Sequence, residues 1–156
     1  MGPKGNAGLC CLAGSNRSYE FLEPGETMNS TRYIEFLNGT LSRYIEQNPH
    51  FEENRPIILQ DNATPHNAAI TRNFITNQGW ALIDHPPYSP DLNPLDYDIF
   101  NRLKRPLRGK RFNNYNEIRN ATEQAIQTLN ESKTIIGGTK LPQRWQEVID
   151  SDGSYI

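Results

Sequence analysis

The strongest constraint on the fold is the run from Ile57 to Asn62, ILQDN with one further apolar residue before it. Its apolar residues Ile57, Ile58 and Leu59 give way to Asp61, the pattern of a buried strand that delivers a carboxylate to the edge of a sheet. Open sheets keep their ligands and chemistry at such strand ends. Downstream, residues 85–100 read HPPYSPDLNPLDYDIF. This is a proline-rich turn followed by Asn93, a side-chain cap, and Pro94, whose ring is preset for the first helical position. Asp96 then falls in the first turn of a helix.

The rest of the chain supplies elements around these two acids. The opening to Ala7 is glycine-rich and reads as a frayed tail. GLCCLAG and SYEFLEPG read as two short strands about a turn at Gly14–Asn16. From Asn29 or Ser30, the residues Ile34, Leu37, Leu41, Tyr44 and Ile45 recur at helical spacing as far as Pro49. Glu52 to Pro56 reads as a polar loop. Past Pro65 a second helix carries Ile70 and Phe74 on one face and ends at Gly79, before a strand over Trp80–Ile83. Leu95, Ile99, Leu103 and Leu107 mark a third helix, broken near Pro106. Ile118, Ala121, Ala125, Ile126 and Leu129 mark a fourth, and Leu141, Trp145, Val148 and Ile149 a last one. The best candidate hinge is Gly137–Gly138. Strands alternating with helices predict an α/β fold, a mixed sheet with helices on its faces.

Composition bounds the function. The 156 residues suit one domain, but an apolar fraction of 35% is low for an independent core, so a partner or a further piece is expected. A net charge of -2 means that any nucleic-acid site must be local. One such locus stands out: Arg102, Lys104, Arg105, Arg108, Lys110 and Arg111 lie within ten positions with no acid among them. Clustered cations of this kind bind phosphates, although a solvated helix face or an import-like patch has the same composition. Cys10 and Cys11 are adjacent, fit no zinc spacing and read as reduced thiols of an intracellular protein. No apolar run approaches the roughly 20 residues that span a bilayer, and the start has no signal-peptide core. The expectation is a soluble chain with no membrane partner.

Several motifs together carry a family resemblance. DNATPH followed by Gly79-Trp80, then HPPYSPDLNP, LDYDIF, LRGKRF, LPQRW and DGSYI, resemble the second half of a mariner transposase catalytic domain, in the family's order from about Gly8 to the last residue. In that family the second and third metal-binding aspartates lie thirty-five positions apart, as Asp61 and Asp96 do. The resemblance implies a ribonuclease-H-like fold in which residues 8–156 form a partial catalytic domain. It implies two Mg2+ or Mn2+ ions that hydrolyse DNA at transposon ends and join them to a target, and with that a nuclear location and pairing as a homodimer. The fold's first strand carries its first catalytic aspartate, and no Asp or Glu precedes GLCCLAG. The expectation is a chain lacking that strand, which alone neither cuts nor joins DNA. A module that binds DNA or another transposase subunit, or a relic without function, are the competing readings.

Read without the family, each acid has an ordinary role. Asp61 is as readily a turn residue, and Asp96 an acid complementing the helix dipole. Spacing does not choose among Asp84, Asp91, Asp96 and Asp98; only the family register selects Asp96. His66 and His85 come singly and read as hydrogen-bonded loop residues, while Asn62 is placed to orient Asp61 or to contact substrate.

Overall fold

The computed structural model describes residues 7–9, 19–132 and 140–153. Strand β1 (Ala7–Leu9) pairs antiparallel with β2 (Tyr19–Phe21). Helix α1 (Ser30–Phe36) runs without a break through a widened turn at Leu37–Leu41 into α2 (Ser42–Glu46). Asn29 caps it, its side-chain oxygen accepting the Arg32 N–H at 2.9 Å. A short helix α3 (His50–Glu53) occupies part of the expected polar loop and leads into β3 (Ile57–Gln60). Helices α4 (Thr64–Asn67) and α5 (Ala69–Asn77) follow, then β4 (Ala81–Asp84), which pairs parallel with β3 in the register Gln60 opposite Asp84. After the proline loop come a turn at Pro90–Leu92, a widened helical turn at Leu95–Ile99, and α6 (Phe100–Lys104). Helices α7 (Tyr115–Glu131) and α8 (Leu141–Asp150) complete the described chain.

Among the described residues the strands form two separate pairs, not one continuous sheet. The core is divided in the same way. Phe36, Leu37, Leu41, Ile58, Ile75 and Trp80 form one buried cluster between α1–α2, β3 and α5. Ile99, Leu103, Ile126 and Leu129 form another between α6 and α7, with Tyr19 and Phe21 of β2 packed against it.

Three local expectations need correction. β3 is not buried along its whole length: Ile57 is 61% exposed, while Ile58 and Gln60, two positions apart on the opposite face, are buried, as alternating strand side chains require when one face is covered. The second helix turns Thr71 and Ile75 inward and leaves Ile70 exposed, with Phe74 at the core's edge. The cause is Ala68, whose extended backbone (ψ 140°) interrupts the helix and resets the face that α5 presents. The Thr71 hydroxyl meets its buried surroundings by donating to the Pro65 carbonyl at 2.7 Å. Along α8 the expected apolar stripe is not a core face, since no α8 residue is fully buried and Ile149 is 69% exposed. Cys10, Cys11 and Gly137–Gly138 lie outside the described residues, as does the tail before β1 begins at Ala7.

Candidate functional site

Because β3 and β4 are parallel, their carboxyl ends lie side by side, and Asp61 leaves one where His85 leaves the other. Asn62 ties the two ends together by donating its amide to the His85 carbonyl at 2.7 Å. Asp61 is held by two other contacts. Its Oδ1 accepts the Ala63 N–H at 3.0 Å, an Asx turn, and lies 2.5 Å from His66 Nδ1. The orienting partner of Asp61 is therefore His66, and Asn62 has the different task of joining the strand ends.

Asp96 is positioned by its cap. Asn93 Oδ1 accepts the Leu95 N–H at 3.1 Å, its carbonyl accepts the Asp96 N–H at 2.9 Å, and its amide donates to Asp96 Oδ2 at 2.9 Å. Asn93 thus starts the helix and fixes the carboxylate rotamer with the same side chain. Asp61 and Asp96 line one open cleft of about 410 Å³, walled by Asn62, His85 and the loop from Pro86 to Pro90. His85 is buried in that wall, and its Nε2 has no hydrogen-bond partner among the described residues.

Two neighbouring acids are paired with arginines. Asp84 pairs with Arg72 at 2.7 Å, and the largely buried Asp98 pairs with Arg102 at 2.6 Å. Asp91 is buried, and its carbonyl accepts from Arg144 Nε at 2.9 Å. On the β1–β2 side, Glu20 pairs with Arg32 at 2.5 Å and Glu23 with Arg119 at 3.2 Å. The carboxylates that reach the cleft are Asp61 and Asp96. They offer hard oxygen donors of the type Mg2+ or Mn2+ takes, an ion that keeps several waters and accepts substrate oxygens. Among the described residues no group of three or more His, Cys, Asp or Glu side chains is placed to hold a metal.

The basic run begins on α6 and continues past the turn at Arg105–Leu107. Arg102, Lys104, Arg105, Arg108, Lys110 and Arg111 are all exposed. Arg102 is occupied by Asp98, and Lys104 sits 5.8 Å from the Phe100 ring centroid. Lys104, Arg105, Arg108, Lys110 and Arg111 form no ion pair among the described residues. Lys110 and Arg111 also border a second depression of about 460 Å³ with Phe112 and Glu117.

Helix α8 reaches the turn at Pro90–Leu92 and the helical turn after it through Arg144. Besides its bond to Asp91, the guanidinium lies 4.3 Å from the Tyr97 ring centroid. The sequence offered no signal for this strut, because the apolar spacing of α8 drew attention to Leu141 and Trp145.

Residues 7–119 match the DDE superfamily endonuclease profile, and the chain belongs to that family. Within it the resemblance is to mariner transposases. The chain is 39% identical over 141 residues to human histone-lysine N-methyltransferase SETMAR, covering 88% of this chain and 20% of that protein. It is 32% identical over 140 residues to the mariner Mos1 transposase of Drosophila mauritiana, covering 88% of this chain and 41% of the transposase. The chain therefore spans less than half the length of either. The solved Mos1 catalytic domain with raltegravir and Mg superposes with a TM-score of 0.81 at 28% identity, over 97% of this chain and 83% of that one. The architecture is accordingly ribonuclease-H-like.

Proposed function

We propose that the cleft between Asp61 and Asp96 binds a divalent cation and a DNA phosphate, as part of a mariner-type strand-cleavage and transfer site. The observation that carries this reading is that the two acids of the family register line one cleft, while Asp84 and Asp98 are bound to arginines. Mos1 transposase, to which the chain is similar, has been solved as a paired-end complex with Mg. Such an ion activates the attacking oxygen and stabilises the leaving one in an in-line phosphoryl displacement. This chain's own residues have narrower tasks. Asp61 and Asp96 hold the cation, His66 and Asn93 fix those carboxylates, and the exposed cations from Lys104 to Arg111 neutralise backbone phosphates of transposon ends or target. A nuclear location and homodimeric pairing accompany this reading.

Two ions held close together need more fixed negative charge than two carboxylates provide. The 156 residues by themselves are accordingly proposed to bind DNA without cutting or joining it. The unpaired cations favour, as a second reading, a module whose activity is DNA binding alone.

Incubating the purified chain and its Asp61→Ala variant with duplex DNA bearing mariner-type ends, in Mg2+ and in Mn2+, tests the proposal. Binding without strand cleavage is expected from both proteins. Cleavage by the parent that disappears in the variant would show that a further carboxylate completes the site, and absence of any DNA binding would remove the nucleic-acid reading altogether.

A further inference from the structure

Tyr88 stands at the rim of the Asp61–Asp96 cleft, and its side chain is fully exposed at 101%. Its backbone is in the left-handed region at φ 57°, a conformation that costs a residue with a Cβ folding free energy and persists only where the surround enforces it. Here the surround is rigid. Pro86 and Pro87 precede the tyrosine and Pro90 follows, each with φ locked by its ring. Ser89 closes the turn by donating its hydroxyl to the Pro87 carbonyl at 3.1 Å. The loop therefore maintains a strained backbone whose outcome is an aromatic ring held out in water, which contributes nothing to burial.

We propose that Tyr88 is a stacking platform for an unpaired nucleobase next to the phosphate bound between Asp61 and Asp96. This rests on the DNA reading above and adds the state of the DNA that the site accepts. A paired and stacked base has no free face, so a ring beside the reacting phosphate finds a partner only where the duplex is opened or ends in an overhang. Stacking is tolerant of sequence because every base has a π-face. The basic run, which begins on α6 directly after the helical turn that carries Asp96, supplies the phosphate contacts.

The test uses a duplex with a three-nucleotide single-stranded overhang carrying 2-aminopurine, compared with the blunt duplex. Wild-type chain is expected to quench the probe and to prefer the overhang about tenfold. Tyr88→Phe and Tyr88→Trp keep the preference. Tyr88→Ala and Tyr88→Gly lose it while leaving blunt-duplex affinity within about twofold, and Tyr88→Gly melts no lower than wild type because glycine relieves the left-handed backbone. An overhang preference that survives in Tyr88→Ala overturns the proposal and leaves the DNA reading intact. Unchanged overhang binding together with lost self-association in sedimentation also overturns it, assigning the ring to a protein contact. A wild-type chain that binds neither DNA overturns both.

Discussion

His66 Nδ1 lies 2.5 Å from Asp61 Oδ1, and the imidazole that makes this contact is itself packed against Tyr33 with ring centroids 4.2 Å apart. The Tyr33 hydroxyl donates to Gln60 Oε1 at 3.0 Å, and the Gln60 amide donates to the His66 carbonyl at 2.9 Å. Three side chains from α1, β3 and α4 thus fix the rotamer of one carboxylate at a strand end. Partners that orient a ligating carboxylate commonly contribute about 10–100-fold in metal affinity. His66→Ala is expected to weaken Mn2+ binding within that range without loss of fold, and His66→Gln, which keeps a donor, to recover part of it. Calorimetric titration checks this, and equal affinity in all three proteins would remove His66 from the site.

Arg144 should behave as a strut. A charge-assisted hydrogen bond contributes about 1.5–3 kcal/mol and a cation–π contact about 0.5–2 kcal/mol. Arg144→Ala is expected to lower unfolding free energy by about 1–3 kcal/mol and to expose α8 to protease. Arg144→Lys should fail to restore it, because an ammonium cannot both stack flat on Tyr97 and bond the Asp91 carbonyl. Urea denaturation of the three proteins decides the point.

The divided core predicts independence. Ile75 and Ile99 are fully buried in clusters that share no residue. Ile75→Val and Ile99→Val should each cost about 0.5–1.5 kcal/mol and add to within about 0.5 kcal/mol in the double variant. A larger interaction energy would show that the two clusters act as one.

Helix α7 begins with a capping arrangement that responds to pH. Asn114 Oδ1 accepts the Glu117 N–H at 3.0 Å, and the Glu117 carboxylate accepts the Asn113 N–H at 2.9 Å. That backbone bond, followed by the Asn113 side-chain bond, lowers the Glu117 pKa from its ordinary 4.5. The folded state therefore favours the ionised form. Its contribution is present above pH 4.5 and is lost as pH falls through the lower folded-state value. Stability measured from pH 6 down to pH 3 should decline less steeply in Glu117→Gln than in wild type, and Asn114→Ala should cost about 1 kcal/mol throughout.

The unpaired cations predict a salt signature. If Lys104, Arg105 and Arg108 each neutralise one phosphate, their joint replacement by Ala flattens the plot of log affinity against log salt by about 2.7, at about 0.9 per phosphate on duplex DNA. A slope unchanged by the triple variant would assign the patch to solvent.

The elements that hold the two acids were legible because their signals are local. An apolar run ending at an acid and an Asn-Pro pair opening a helix need no tertiary information, and β3 and the Asp96 helix lie where those signals put them. What escaped depends on contacts distant in sequence or on one backbone angle. The face of α5 turns on the extended ψ at Ala68, and Arg144 reaches Asp91 across 53 positions. His66 reads in the sequence as a hydrogen-bonded residue after a proline, but that its partner is Asp61 depends on the Asx turn and shows only in three dimensions. Spacing alone does not separate Asp96 from Asp84, Asp91 and Asp98; in three dimensions Asp84 and Asp98 pair with arginines, and Asp96 lines the cleft with Asp61.

The shared cation site is tested most directly by titrating Mn2+ into wild type, Asp61→Ala, Asp96→Ala and Asp84→Ala, with bound ion read by electron paramagnetic resonance. One saturable site is expected, lost in both Asp61→Ala and Asp96→Ala and kept in Asp84→Ala. Binding that survives removal of either cleft aspartate, or a wild-type chain that binds no Mn2+, would contradict it.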